Sequence, residues 1–252
     1  MHPDWLVPKW PAPAAVRAVC TTRVGGRSLP PYDSLNLGDH VGDDPLAVGA
    51  NRAVLAQALG ARPVFLQQVH GRGVVTLDAH TPQGTEADAC LTHERGVACT
   101  IMVADCLPLL FTDARGSVVA AAHAGWRGLA GEDGVGVIET LHAALQVDAR
   151  ELMVWLGPCI GPQAFEVGPE VKAAFEFRSP RAANCFRPAA AAGKWLADLP
   201  ALARLRLAAL GITQVYGNDG SPSWCTVTQP SRFFSHRRDR VSGRLAACIW
   251  LG

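Results

Sequence analysis

The chain has 252 residues, 49% hydrophobic and 18% charged, with a formal net charge of +1. It is long enough to bury a full core, and its composition excludes a disordered chain or a strongly basic surface for nucleic acid or anionic membrane. No apolar run reaches the ~20 residues of a membrane span, and the start, His2-Pro3-Asp4-Trp5, has neither the basic nor the apolar region of a leader, so a cytoplasmic location is expected.

Residues 1–13 are rich in proline and tryptophan and are expected to drape over the domain as an N-terminal extension. Val16 to Thr22 reads as a strand. It runs into Arg23-Val24-Gly25-Gly26-Arg27-Ser28, a glycine turn whose amides and guanidinium groups could hold an anion. Tyr32 to Asp44 is a polar loop. Asp44-Pro45 opens a helix that stops at Gly60. A strand from Val64 is expected to carry Gln67-Gln68-Val69-His70 to its end, and another covers Gly73 to Leu77. Thr81 to Asp88 reads as a polar turn region.

Ala98 to Val103 is an apolar strand ending at Asp105-Cys106, and Leu107 to Phe111 continues or follows it. Val118 to Ala122 is small and apolar on both faces, as a fully buried strand requires, and it ends in His123-Ala124-Gly125-Trp126-Arg127-Gly128. Helices are expected at about Gly134 to Leu145, Pro169 to Phe175 and Asp198 to Leu210, with strands at Leu152 to Leu156, Gly211 to Tyr216 and Arg244 to Leu251; residues 178–193 read as irregular. Strands often follow strands without a helix between them. The expected fold is therefore one α+β domain over residues 1–252, with mixed sheets covered by helices.

Eight scattered cysteines without a CxxC pair read as reduced thiols rather than a disulfide framework. One of them, Cys106, stands beside an acid and close in the chain to His123. Together with His70 these residues offer two imidazoles and one thiol from three separate segments. Zinc takes such a set and keeps a fourth position for water or substrate; copper suits it as well. A metal-free alternative makes Cys106 a nucleophile, His123 its base and Asp105 the orienting carboxylate. Arg23, Arg127, Arg237 and Arg238 are candidates for a phosphate or carboxylate, and Trp126 for stacking on a ring.

Several segments in one order carry a resemblance: Thr21-Thr22-Arg23-Val24-Gly25-Gly26, Ser34-Leu35-Asn36-Leu37-Gly38, Val69-His70-Gly71, Ala104-Asp105-Cys106-Leu107-Pro108, His123-Ala124-Gly125-Trp126-Arg127-Gly128, Gly157-Pro158-Cys159-Ile160-Gly161 and Phe233-Phe234-Ser235-His236-Arg237-Arg238-Asp239. Through them the chain resembles the YfiH family, also called the laccase-domain or multicopper polyphenol oxidase family, and the peptidoglycan editing factor. One departure is His236, where many relatives carry a tyrosine.

The resemblance implies mixed β-sheets sandwiched between helix layers. It implies a metal, usually zinc, on His70, Cys106 and His123. The activity it implies is phosphorolysis of adenosine, inosine and methylthioadenosine, with adenosine deamination. Older family names imply copper-dependent phenol oxidation, and the editing-factor name implies release of L-serine from UDP-MurNAc-L-Ser. In such schemes Arg23 and Arg127 would hold phosphate, Asn36 or Gln68 would fix the nucleoside, and Asp105 would act as the acid. Copper oxidation fits least, because the other histidines do not form His-x-His pairs. A nucleoside- or metal-binding protein without turnover is the non-enzymatic alternative. The expected partners are these small molecules, with no nucleic acid and no membrane, and the expected state is a monomer.

Overall fold

Strand alternation builds two sheets that pack face to face, and the connections between them build the site. The computed structural model describes residues 2–252. In chain order it contains β1 (Val16–Cys20), α1 (Pro45–Leu59), β2 (Arg62–Phe65), β3 (Val74–Thr76), β4 (Ala89–Thr92), β5 (Val97–Val103) and β6 (Leu107–Asp113). Then follow β7 (Val119–Ala124), α2 (Trp126–Ala130), α3 (Val137–Leu145), β8 (Leu152–Leu156), β9 (Glu166–Val167), α4 (Pro169–Glu176) and β10 (Phe186–Pro188). Last come β11 (Trp195–Ala197), α5 (Leu199–Ala209), β12 (Gln214–Gly217), α6 (His236–Asp239) and β13 (Leu245–Leu251).

The strands form a four-stranded sheet in the order β1-β13-β5-β2 and a six-stranded sheet in the order β12-β8-β6-β7-β4-β3. A small sheet, β10-β11-β9, stands apart from both. Parallel and antiparallel pairs mix: β2 runs parallel to β5, while β13 is antiparallel to it.

Side chains alternate between faces, and the core divides accordingly. Cys99, Ile101 and Val103 of β5 meet Leu110, Val119 and Trp155 between the sheets. Ala98 and Met102, on the other face of β5, pack with Leu55 and Leu59 of α1. Leu107, Leu109 and Phe111 of β6 pack with Leu141 of α3, Phe175 of α4 and Leu202 of α5. The layers are therefore helix, sheet, sheet, helices, as the sequence patterning and the resemblance led us to expect. Each fully buried Leu or Phe contributes about 1.5–3 kcal/mol to holding them together.

Helix α1 begins and ends where its chemistry dictates. The Asp44 side chain accepts from the Leu46 amide, Pro45 occupies the first turn, and Gly60 takes the left-handed conformation that closes the last turn. Asp198 caps α5 in the same way, through the Ala201 amide.

Two connections cross from the four-stranded sheet to the six-stranded one. β2 leads to β3 and β5 leads to β6, and because β2 and β5 are parallel neighbours both crossings lie at one end of the sandwich. The first crossing carries His70 and the second carries Asp105-Cys106. β7 is antiparallel to β6, with His123 opposite Pro108, so the end of β7 meets the start of β6 at that same place.

Two expectations need correction. β2 ends at Phe65, so His70 sits in a loop and not at a strand end. The stretch after Thr81-to-Asp88 forms a strand, β4, and part of 178–193 is ordered as a helical turn (Pro180–Cys185) and β10. β4 and β10 have four and three residues, too few to show a period of two.

Candidate active site

Asp88 is the residue around which the site is assembled. It lies directly before β4, and its carboxylate accepts the amides of Val69, Gly71 and His70 at 3.1, 2.7 and 2.9 Å. The same carboxylate accepts from Nδ1 of His123 at 2.8 Å. One buried acid thus holds the His70 loop and the His123 ring together. The three amide bonds also hold the loop with His70 at a φ of +61°, a left-handed conformation uncommon for a non-glycine residue.

The ligand atoms of His70, Cys106 and His123 lie within 4.8 Å of one another. Nε2 of His70 is 3.8 Å from Sγ of Cys106, and the two imidazole rings meet edge to face, 4.7 Å between centroids. Because Asp88 takes Nδ1 of His123, the other ring nitrogen is left for the cluster. The approach is close enough to require glycine at two neighbouring positions. A Cβ on Gly125 would stand 3.0 Å from both the Cys106 sulfur and the His70 ring, and a Cβ on Gly128 would stand 2.6 Å from the Gly71 carbonyl.

Electrostatics prepare the cluster for a cation or for proton transfer. Burial opposes ionisation of the Cys106 thiol, but the charge and hydrogen bond of His123, with those of His70, outweigh it and bring the pKa from 9.0 down to about 6. Burial likewise opposes charge on His123, yet Cys106 and then Asp88 raise it from 6.5 to about 9. Asp88 is held below the usual carboxylate range: burial would raise it, and His123 with the Gly71 and Val69 amides overrides that. Without a metal the site therefore favours a thiolate beside an imidazolium.

The donor set fits zinc. Two nitrogens and one thiolate leave a fourth position open, and the 3.8 Å between His70 and Cys106 is near the spacing of two tetrahedral ligands. The Asp88–His123 hydrogen bond is the usual support for a metal-binding imidazole. Copper takes the same donors.

The cluster lines a cleft of about 450 Å³. Its walls are apolar at Met102, Val103, Trp126, Ile160, Phe165 and Leu199, and its rim is cationic at Arg127, Arg237, Arg240 and Arg244. Among the described residues the Arg127 and Arg240 guanidinium groups have no hydrogen-bonding partner, although Arg127 lies over the Trp126 ring at 4.5 Å. Arg237 donates from its side chain to the Glu166 carbonyl.

Several residues singled out in the sequence stand differently. Arg23 is outside the cleft; it donates to the carbonyls of Asp33 and Pro230 and pairs with the Asp33 carboxylate. Two amides of its glycine turn are taken as well, Gly26 by Ser34 and Arg27 by Asn51, and the turn does not line the cleft. Asn36 is buried away from the cleft, bonded to Gly38, Asp43 and the Arg244 amide. Gln68 does line the cleft, but both ends of its amide are taken by Met102. Arg238 is tied to the carbonyls of Thr226, Val227 and Phe233.

Asp105 also lines the cleft and is neither the orienter of His123 nor a free acid. Its oxygens accept from the Thr226 hydroxyl and the Arg237 amide, each at 2.6 Å, and it pins α6 against the crossing that carries Cys106. Asp88 was missed because it closes a polar turn and adjoins no motif; Ala87-Asp88-Ala89, an acid between small residues entering a buried strand, is the signal that marks it.

A family model described as multi-copper polyphenol oxidoreductase laccase matches residues 17–252. A purine nucleoside phosphorylase of Pseudomonas aeruginosa is 52% identical over 247 residues, covering 98% of each chain. Purine nucleoside phosphorylase YfiH of Escherichia coli is 47% identical, again over 98% of each chain. Among solved structures, a Neisseria meningitidis protein superposes with a TM-score of 0.92 at 48% identity, over 98% of this chain and 99% of that one. YlmD from Geobacillus stearothermophilus does so with a TM-score of 0.88 at 32% identity, over 98% and 96%.

Proposed function

The chain belongs to the multi-copper polyphenol oxidoreductase laccase family, and from that membership we propose that it is a zinc-dependent purine nucleoside phosphorylase acting on adenosine, inosine and methylthioadenosine, with adenosine deamination at the same site. The observation that carries the reading is the convergence of His70, Cys106 and His123 in a cleft with apolar walls and a rim of four arginines. The names of the Pseudomonas aeruginosa and Escherichia coli relatives support it.

Phosphorolysis needs an anion beside the anomeric carbon and a purine that leaves as it gains negative charge. Arg127 and Arg240 supply charge-assisted donors for phosphate, which each contribute about 1.5–3 kcal/mol. The Trp126, Phe165 and Ile160 wall takes the face of the purine. The exposed His236 stands in the cleft wall, where its imidazole can pass a proton to the departing base. His70, Cys106 and His123 would hold the metal, which supplies Lewis acidity when bound. Asp88 keeps His123 in the tautomer that leaves its second nitrogen free.

A second reading rests on one specific arrangement. The line from Cys106 through His123 to Asp88 has the order of a thiol, its base and an orienting carboxylate, and suits attack on an amide carbonyl. It would serve removal of L-serine from UDP-MurNAc-L-Ser.

Copper-dependent phenol oxidation is the reading supported least. Among the described residues the converging donors number three, and reduction of dioxygen to water draws on several copper ions.

The test is zinc content together with hypoxanthine release from inosine for the wild type, His70→Ala, Cys106→Ala and His123→Ala. Loss of both in each variant, with the fold retained by circular dichroism, is expected. Full rates in all three variants would remove the cluster from the reaction.

A further inference from the structure

The cleft does not end at Gln68. A second cavity of about 480 Å³ opens beyond it, and Gln68 and His40 line both. Gln68 is the fixed side of this partition, clamped through both ends of its amide to Met102. His40 is the other side, with 54% of its side chain exposed. The two cavities are lobes of one groove, narrowed where these two residues stand.

The lobes differ in charge. The first has four arginines against one carboxylate, Asp105, whose oxygens are already occupied. In the second, Arg52 pairs with Asp39 at 3.1 Å and lies over Phe65 at 4.0 Å, so its charges balance. The Gln67 side chain lines that lobe and has no hydrogen-bonding partner among the described residues. Carboxylate, guanidinium and amide together offer donors and acceptors with no net charge, which suits hydroxyl groups. Burial and the Arg244 charge hold His40 below its usual pKa, so the partition is uncharged at neutral pH on the second-lobe side and cationic, through Arg244, on the first.

We propose that the second lobe is a subsite for a neutral, hydroxyl-rich extension of the purine nucleoside, carried on its 5′ carbon past His40 and Gln68 through an anionic link. The proposal rests on the reading that nucleoside chemistry takes place at His70, Cys106 and His123. In that chemistry C1′ carries both the leaving base and the incoming phosphate, and the 5′ carbon takes no part in it and can bear a tail. The link falls beside Arg244, and the terminal sugar reaches Gln67 and the Asp39–Arg52 pair. The substrate class is thus a purine nucleoside joined through phosphate to a second sugar.

Isothermal titration of the wild-type protein with adenosine, ADP and ADP-ribose tests this. ADP-ribose should bind about tenfold more tightly than ADP, the gain expected of one or two added hydrogen bonds. Gln67→Trp fills the lobe from an exposed position and should abolish that gain while leaving ADP affinity within about twofold. Gln67→Ala, which removes atoms only, should lower the gain and serves if the tryptophan variant does not fold. Equal affinities for ADP and ADP-ribose, or a gain that survives in Gln67→Trp, would overturn the subsite. Inosine phosphorolysis is followed in parallel. A wild type that releases no hypoxanthine yet shows the ADP-ribose gain keeps the subsite and loses the reaction, and the reverse pattern keeps the reaction and loses the subsite.

Discussion

Asp88 and His123 are joined at 2.8 Å, and the oxygen that takes the His123 ring also takes the His70 amide at 2.9 Å. One carboxylate oxygen therefore sets the distance between two metal-ligating candidates that are far apart in the chain. Asp88→Asn puts an amide group where an acceptor is needed. We expect zinc affinity, measured by competition with a chelator, to fall about 10–100-fold. Unchanged affinity would show that the cluster does not depend on Asp88.

Gly125 offers a test of close approach that leaves the backbone alone. Its φ of −67° is open to any residue, but a Cβ there would stand 3.0 Å from the Cys106 sulfur and the His70 ring. Gly125→Ala should cut zinc affinity and activity while the melting temperature moves by no more than about 2–4 °C, the shift of ~1 kcal/mol in a chain of this size. Retained metal binding with full activity would mean that the cluster has more room than its geometry gives it.

The Cys106 thiol should titrate near neutral pH in the metal-free protein. With its pKa lowered to about 6, the thiolate forms as pH rises through that value and is lost below it. Alkylation by iodoacetamide, corrected for reagent, should reach its plateau by pH ~7 and fall by half near pH ~6. His123→Ala removes the largest opposing charge and should move the midpoint up toward 9.0. A midpoint that stays put in the variant would mean that His123 does not stabilise the thiolate.

The arginines separate into two kinds, and kinetics should tell them apart. Arg127→Ala and Arg240→Ala remove exposed guanidinium groups that have no hydrogen-bonding partner among the described residues, so each should raise KM for phosphate about tenfold or more and leave the melting temperature nearly unchanged. Arg23→Ala removes bonds to Asp33 and Pro230 and should cost about 1–3 kcal/mol of stability with KM for phosphate unchanged. A higher phosphate KM in Arg23→Ala alone would reverse this division.

What could be read in the sequence follows from the range of each interaction. The helices at Asp44-Pro45 and Asp198 were legible because a cap and a period of 3.6 lie within a few residues. The strands around Ile101, Leu109 and Ala121 were legible because they are continuously apolar. Cys106 and His123 could be paired because β6 and β7 form a hairpin. Asp88 could not be tied to His123, since that bond spans 35 positions and depends on β4 lying beside β7. Arg23 and Asn36 looked like ligands for the same reason that they are structural: glycine- and Asx-rich loops offer many polar groups, and only the folded chain shows which are already taken. Arg240 and Arg244, with His40, enter the cleft from loops whose positions no local pattern fixes.

The most direct measurement is product analysis of inosine turnover by the zinc-loaded wild type, with and without inorganic phosphate. Phosphorolysis at the His70–Cys106–His123 cluster predicts ribose 1-phosphate and hypoxanthine in equal amounts, formed only when phosphate is present. Hypoxanthine released with free ribose, or at the same rate without phosphate, would contradict it.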